Sequence, residues 1–233
     1  MQRAATVLDL YRERGRRGLP LEDMYRHLCN RDHYLRAYGS IYRNAGAMTP
    51  GTTAETGDAM ALEKIDRIID VLRHEAYRWT PVRRTYIPKK SGTRRPLGIP
   101  TWSDTLVQEV VRSLLEADYE PQFHQHSHGF RPNRGCQTAC GDITRHWRGV
   151  QWCIEGDIPP GVDRINQAVL RSIVGEKIHA TRCVRLMSNM RKAGYLEAWT
   201  DNATLSGTPQ GGVLSPILSH SSRDRLDQLV EHG

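Results

Sequence analysis

A chain of 233 residues can bury one sizeable core or two small ones. With 38% hydrophobic residues and no run near the roughly 18 apolar residues of a membrane span, the sequence excludes a helical membrane protein and points away from a membrane partner. A formal charge of +7 makes a polyanion the leading partner, nucleic acid before a membrane surface, while five cysteines without a signal-peptide core argue for free thiols and a cytoplasmic location.

Basic residues are grouped along the chain. YRERGRRG, Tyr11 to Gly18, holds four arginines. LEKIDRIIDVL follows, with Leu62, Ile65, Ile68, Ile69 and Leu72 at helical spacing. VRRTYIPKKSGTRRPLGIP then carries Arg83, Arg84, Lys89, Lys90, Arg94 and Arg95. Thr85 to Ile87 favour a strand, Ser91-Gly92 a turn, and Leu97 to Ile99 an apolar return, so a hairpin is predicted. Its cations either lie over phosphates or solvate an edge. SDTLVQEVVRSLLEADYEP predicts a helix capped by Ser103 or Asp104. Leu106, Val107, Val110, Val111, Leu114 and Leu115 share one face, and Pro121 lies beyond its end.

FHQHSHGF places His124, His126 and His128 on alternate positions, with Cys136 and Cys140 following. Strand alternation would bring the imidazoles to one side, where zinc accepts His and Cys, although the spacing is not that of a standard structural site. GFRPNRG adds Arg131 and Arg134. VQWCIEGDI reads as a strand with Trp152 and Ile154 on one face and Cys153, Glu155 and Asp157 on the other. Asp157, at its end before a turn, is aimed either at a Mg²⁺ ion or into a cap or ion pair. Helices are predicted over 166–177 and over 181–192, the latter stopped by Gly194. In LSGTPQGGVLSPIL, Gly211 and Gly212 permit close approach of another molecule, and Ser215-Pro216 opens a helix. The tryptophans read as core or hairpin packing, with Trp102 beside the hairpin as the candidate base-stacking platform.

In order, YIPKKSGTRRPLGIPTWSDTLVQEVV, HSHGFRPNRGCQTA, WCIEGDI and LSGTPQGGVLSPIL resemble successive blocks of bacterial group II intron reverse transcriptases. LCNRDHYLRAYGSIYRNAGAMTPGTT is similar to that family's N-terminal extension. The resemblance implies an α+β, helix-rich, right-hand polymerase fold with fingers and an incomplete palm. It divides the chain into an N-terminal extension and helical fingers region (1–80), fingers with the basic hairpin (81–150) and a partial palm (151–233). It further implies an RNA template or intron RNA, a DNA primer, a dNTP and two Mg²⁺ ions as partners. Asp157 then matches the first metal-binding aspartate, and the Ile158 carbonyl is a further ligand. Lys89 and Arg95 match the cations that hold the triphosphate, and Gln210 with Pro209 and Gly211 the loop lining the nucleotide pocket. Arg83 and Arg84 fall to the template or RNA; Arg131 and Arg134 either serve the template or pin the fingers.

Three departures stand out. Five positions after Asp157 the family places an aromatic gate under the sugar, and this chain has Val162, which leaves room for a 2′-hydroxyl. Pro159 and Pro160 replace residues with a backbone donor. Ser221, Ser222 and Arg223 stand where an apolar stretch is expected, and would bury poorly against a palm sheet. The family's Tyr-Ala-Asp-Asp block does not occur in these residues. The expectation is therefore a truncated polymerase inactive alone, the alternative a non-catalytic RNA-binding module. The oligomeric state is not implied.

Overall fold

The computed structural model describes residues 2–44, 46–88, 92, 94–156, 172, 174–197, 200–202 and 212–232. Its centre follows from the apolar face of α5 (Trp102–Tyr119), where Leu106, Val107, Val110, Val111, Leu114 and Leu115 are all fully buried. The cap is Thr101, ahead of both expected candidates; its hydroxyl accepts from the Asp104 N–H at 3.2 Å. Asp104 turns inward, accepting from the Tyr77 hydroxyl at 2.8 Å and the Thr80 N–H at 3.0 Å.

α1 (Ala4–Arg16) lies against α5. Gly15 makes that approach close, because a Cβ there would stand 2.1 Å from the Asp118 carbonyl oxygen. α2 (Met24–Leu28) and α3 (Arg31–Ile41) follow; Asn30 caps α3 by accepting from the Asp32 N–H. Asp32 in turn accepts from the Ala4 N–H at 2.6 Å, tying the starts of α1 and α3 together. The predicted helix over LEKIDRIIDVL is α4 (Leu62–Arg73), with Ile65, Ile68, Ile69 and Leu72 buried and Leu62 left half-exposed at its first position. One hydrophobic cluster joins these helices and continues to Leu218, so all three expected regions contribute to the same core.

The predicted hairpin forms from β1 (Val82–Pro88) and β2 (Arg94–Ile99), antiparallel with Thr85 opposite Leu97 and Ile87 opposite Arg95. α6 (Cys136–His146) has no buried residue, hence no apolar stripe to announce it in the sequence. In the segment predicted as helix over 166–177, the described residues 172 and 174–177 are helical. α7 (Thr181–Lys192) ends as expected, with Gly194 at φ 74° in the left-handed conformation that glycine favours.

After that glycine come two strands the sequence did not reveal, β3 (Tyr195–Glu197) and β4 (Thr200–Asn202). The sheet order is β2-β1-β3-β4, with β3 parallel to β1. Trp79 Nε1 donates to the Leu186 carbonyl at 2.9 Å, and Leu21 bridges to Ile178, so distant segments close on the N-terminal helices.

Two expectations are corrected. Residues 151–156 of the predicted strand VQWCIEGDI are coil, with Trp152 88% and Ile154 98% exposed. Alternation becomes a strand only where a neighbour supplies hydrogen bonds, and among the described residues none pairs with this stretch. In α8 (Ser215–His232), Ser221 is buried rather than excluded, because its hydroxyl donates to the Leu218 carbonyl at 3.0 Å. This helix packs on α5 and on the turns after it: His220 lies against Phe123, ring centroids 4.1 Å apart, and Asp224 accepts from the His124 N–H. Arg223 is exposed, and the side chain of Ser222 lies outside the described residues.

Candidate nucleic-acid interface

The hairpin sorts its cations by height. At its base, Arg83 donates through Nε and Nη2 to the Pro50 carbonyl at 3.1 and 2.8 Å. The Arg84 guanidinium lies 3.8 Å over the Tyr195 ring, a cation–π contact that joins β1 to β3. Nearer the tip, Arg94 and Arg95 are exposed, as are Tyr86 and Ile87. Cross-strand partners share a face, so Arg95 stands beside Ile87, while Arg94 projects to the opposite side. The hairpin therefore holds itself in place with Arg83 and Arg84 and leaves Arg94 and Arg95 exposed.

The turns between α5 and α6 treat their arginines differently. Arg131 is buried, forms a two-pronged ion pair with Glu120 and also donates to the carbonyls of His124 and Ser127. That spends the guanidinium inside the protein. Arg134 is half-buried and reaches the Gln125 and Ser127 carbonyls. Of the two readings that stood for Arg131, these bonds describe an internal pin.

The tryptophans divide as well. Trp102 is buried and its Nε1 donates to the Ala47 carbonyl at 2.5 Å, so it is core and not a platform for bases. Trp147 and Trp152 are exposed, contrary to the reading of the tryptophans as core or hairpin packing.

The expected row of His124, His126 and His128 with Cys136 and Cys140 does not form, because residues 121–134 run through successive turns in which alternation carries no meaning. Cys136 and Cys140 are exposed free thiols. His126 and His128 instead meet Asp142, which α6 presents together with His146 one turn later. The sequence held that signal as Asp142-x-x-x-His146, an i, i+4 pair on one helical face. Hydrogen bonds from these imidazoles hold the Asp142 carboxyl down to a pKa of about 2.

Asp157, Ile158, Val162, Lys89, Gln210 and Gly211 lie outside the described residues. Among those described, no helix is long and apolar enough to cross a membrane.

A family model described as reverse transcriptase (RNA-dependent DNA polymerase) matches residues 87–233. The group II intron-encoded protein LtrA of Lactococcus lactis subsp. cremoris is 46% identical over 208 residues, 89% of this chain and 35% of that protein. An uncharacterized 91 kDa protein in the cob intron of Schizosaccharomyces pombe is 42% identical, covering 88% of this chain and 25% of its own length. The chain thus spans 35% and 25% of the lengths of these relatives. Among solved structures, a chain of a partial Cas6-RT-Cas1–Cas2 complex superposes with a TM-score of 0.56 at 17% identity, over 88% of this chain and 34% of that one, a likeness of fold alone.

Proposed function

This chain belongs to the reverse transcriptases, in the branch of proteins encoded by group II introns, and from that premise we propose that it forms the fingers and part of the palm of an RNA-directed DNA polymerase that also binds its intron RNA. The observation that carries the reading is the extent of the family match. It begins at Ile87 inside β1 and takes in the hairpin tip, the Arg131 turns and the stretches around Asp157 and Gln210. The division proposed is an N-terminal extension and helical fingers over 1–80, fingers with the hairpin over 81–150, and palm from 151.

In this reading an RNA template and a DNA primer lie along the basic face, and Arg95, with Lys89, holds the triphosphate of an incoming dNTP. Gln210 and Gly211 line the pocket of the nascent base pair, where a glycine lets the backbone come close. Asp157 and the Ile158 carbonyl are hard oxygen donors and suit Mg²⁺, one or two protein oxygens being its usual share beside substrate phosphates. When bound, Mg²⁺ supplies stabilisation of the attacking and leaving oxygens of phosphoryl transfer. Arg131 supports the site by fixing the turns after α5, not by touching template. The smaller Val162 leaves space beside the sugar. The five free thiols suit a reducing cytoplasmic setting.

The test is primer extension by the chain joined to the Tyr-Ala-Asp-Asp segment of a relative. Asp157→Ala is expected to abolish extension while leaving primer–template binding intact; extension that survives the substitution removes Asp157 from the site. In the same assay Val162→Phe should lower ribonucleotide incorporation, and equal rejection of ribonucleotides by both versions would sink the gate.

A further inference from the structure

The cluster formed by the turns after α5 and the exposed face of α6 has no part in that reading. It brings an imidazole from the turns, His126, to a carboxylate and an imidazole one helical turn apart on α6. The donor atoms of His126, Asp142 and His146 all lie within 4.8 Å of one another. His126 Nδ1 stands 2.5 Å from Asp142 Oδ2, and His146 Nδ1 stands 2.8 Å from Asp142 Oδ1. The His126 and His146 rings are 5.6 Å apart and inclined at 68°, converging on the carboxylate from two sides. They border an open pocket of about 430 Å³.

We propose that His126, Asp142 and His146 form a binding site for a divalent transition-metal ion of the zinc class. Two imidazole nitrogens and one carboxylate oxygen are a donor set zinc accepts, leaving a fourth position open to water. The nitrogens select against Mg²⁺ and Ca²⁺, which want oxygen. Zinc bonds of roughly 2.0–2.1 Å in a tetrahedron hold donors on the order of 3.3 Å apart. The present N···O pairs are tighter, since the carboxylate is hydrogen-bonded. Widening them by less than an ångström admits the ion. His126 and His146 have room for that, with side chains 46% and 58% exposed.

Two further features favour a metal. His128 offers Nε2 to Asp142 Oδ2 at 3.3 Å while its Nδ1 meets the Thr138 hydroxyl at 2.9 Å. It thereby orients the ligating carboxylate as an outer-shell partner does. α6, moreover, buries no residue, so polar contacts must hold it. An ion linking His126 to Asp142 and His146 would staple this helix to the preceding turns. Arg134 and Arg145 also line the pocket and oppose a cation. Arg134 Nη1 is engaged by the Gln125 and Ser127 carbonyls, and Arg145 Nε by the Gly141 carbonyl.

The experiment titrates chelator-washed chain, carrying no affinity histidines, with Zn²⁺ and with Co²⁺. One ion per chain, a visible Co²⁺ spectrum of low coordination number and a higher Tm are expected. His126→Ala and His146→Ala should each weaken binding roughly tenfold or more. Cys136→Ser with Cys140→Ser should leave binding unchanged. Where His126→Ala loosens the turns, His146→Gln on the helix surface gives the same reading. Absence of saturable binding, binding that survives both histidine substitutions, or binding lost with the cysteines overturns the site.

Discussion

Arg131 and Glu120 face each other as fork and carboxylate, with Nη2 2.8 Å from Oε1 and Nε 3.1 Å from both carboxylate oxygens. The remaining nitrogen, Nη1, donates to the His124 carbonyl at 2.7 Å and the Ser127 carbonyl at 2.9 Å. One buried side chain thus folds the turns back onto the end of α5. An ammonium cannot reproduce that fork, so Arg131→Lys should cost about 1–3 kcal/mol in urea unfolding. An unchanged midpoint would show that the turns do not depend on the pair.

Arg94 sits at the exposed end of the hairpin and Arg83 at its tied base. Arg94→Ala is expected to weaken RNA binding across sequences and to lower the salt slope of log K by about one, the signature of a lost phosphate contact. Arg83→Ala should leave that slope close to the parent's. Fluorescence anisotropy across a salt series reads both, and equal slopes for all three proteins would refute the division of the hairpin.

His33 is buried beside His27, Asp32 and Arg36, and among the described residues neither ring nitrogen has a hydrogen-bond partner. Burial, reinforced by His27, pulls its pKa from 6.5 down to about 4. Between those values the unfolded chain binds the proton and the folded chain does not. Stability from this group is therefore complete above pH 6.5 and is lost as pH falls toward 4. His33→Leu should remove this contribution, changing the variant-minus-parent stability difference by about 3 kcal/mol across the window. Asp118 acts with opposite sign over an overlapping range, its pKa raised by burial to about 6. The difference between variant and parent isolates His33; parallel profiles would remove it from the acid response.

Gly15 admits α5 at a distance no side chain permits, the Asp118 carbonyl standing 2.1 Å from where a Cβ would be. The obstacle is helix backbone and cannot rotate away. Gly15→Ala should therefore destabilise by about 1–3 kcal/mol despite alanine's better helix propensity. A variant as stable as the parent in thermal unfolding would show that α1 shifts freely on α5.

Where the sequence was readable, the cause was local. The apolar residues of α4 and α5 recur at the helical period, so both helices could be placed before any contact was known. The hairpin announced itself by a strand-forming run, a turn glycine at φ 78° and an apolar return. Gly194 ended α7 through its own backbone freedom. α6, β3 and β4 were invisible for reasons equally physical. α6 has no buried face to impose a period, and β3 and β4 are three residues each, too short for alternation to register. Residues 150–156 had the alternation and, among the described residues, lacked the neighbour.

By itself, then, the sequence determined the main helices, the basic hairpin and, through the order of its blocks, the family, because these depend on spacing along one chain. Tertiary structure alone decided which charges and rings are available. Arg131 and Arg95 look alike in sequence, yet Glu120 and two carbonyls arrive at one and not at the other's exposed position. Trp102 and Trp152 part in the same way, one capped by the Ala47 carbonyl inside the core and one in solvent. The meeting of His126 with Asp142 and His146 spans 16 residues and more, a distance no local period encodes. Exposure and pairing are properties of what else comes near, and only the folded chain brings those groups together.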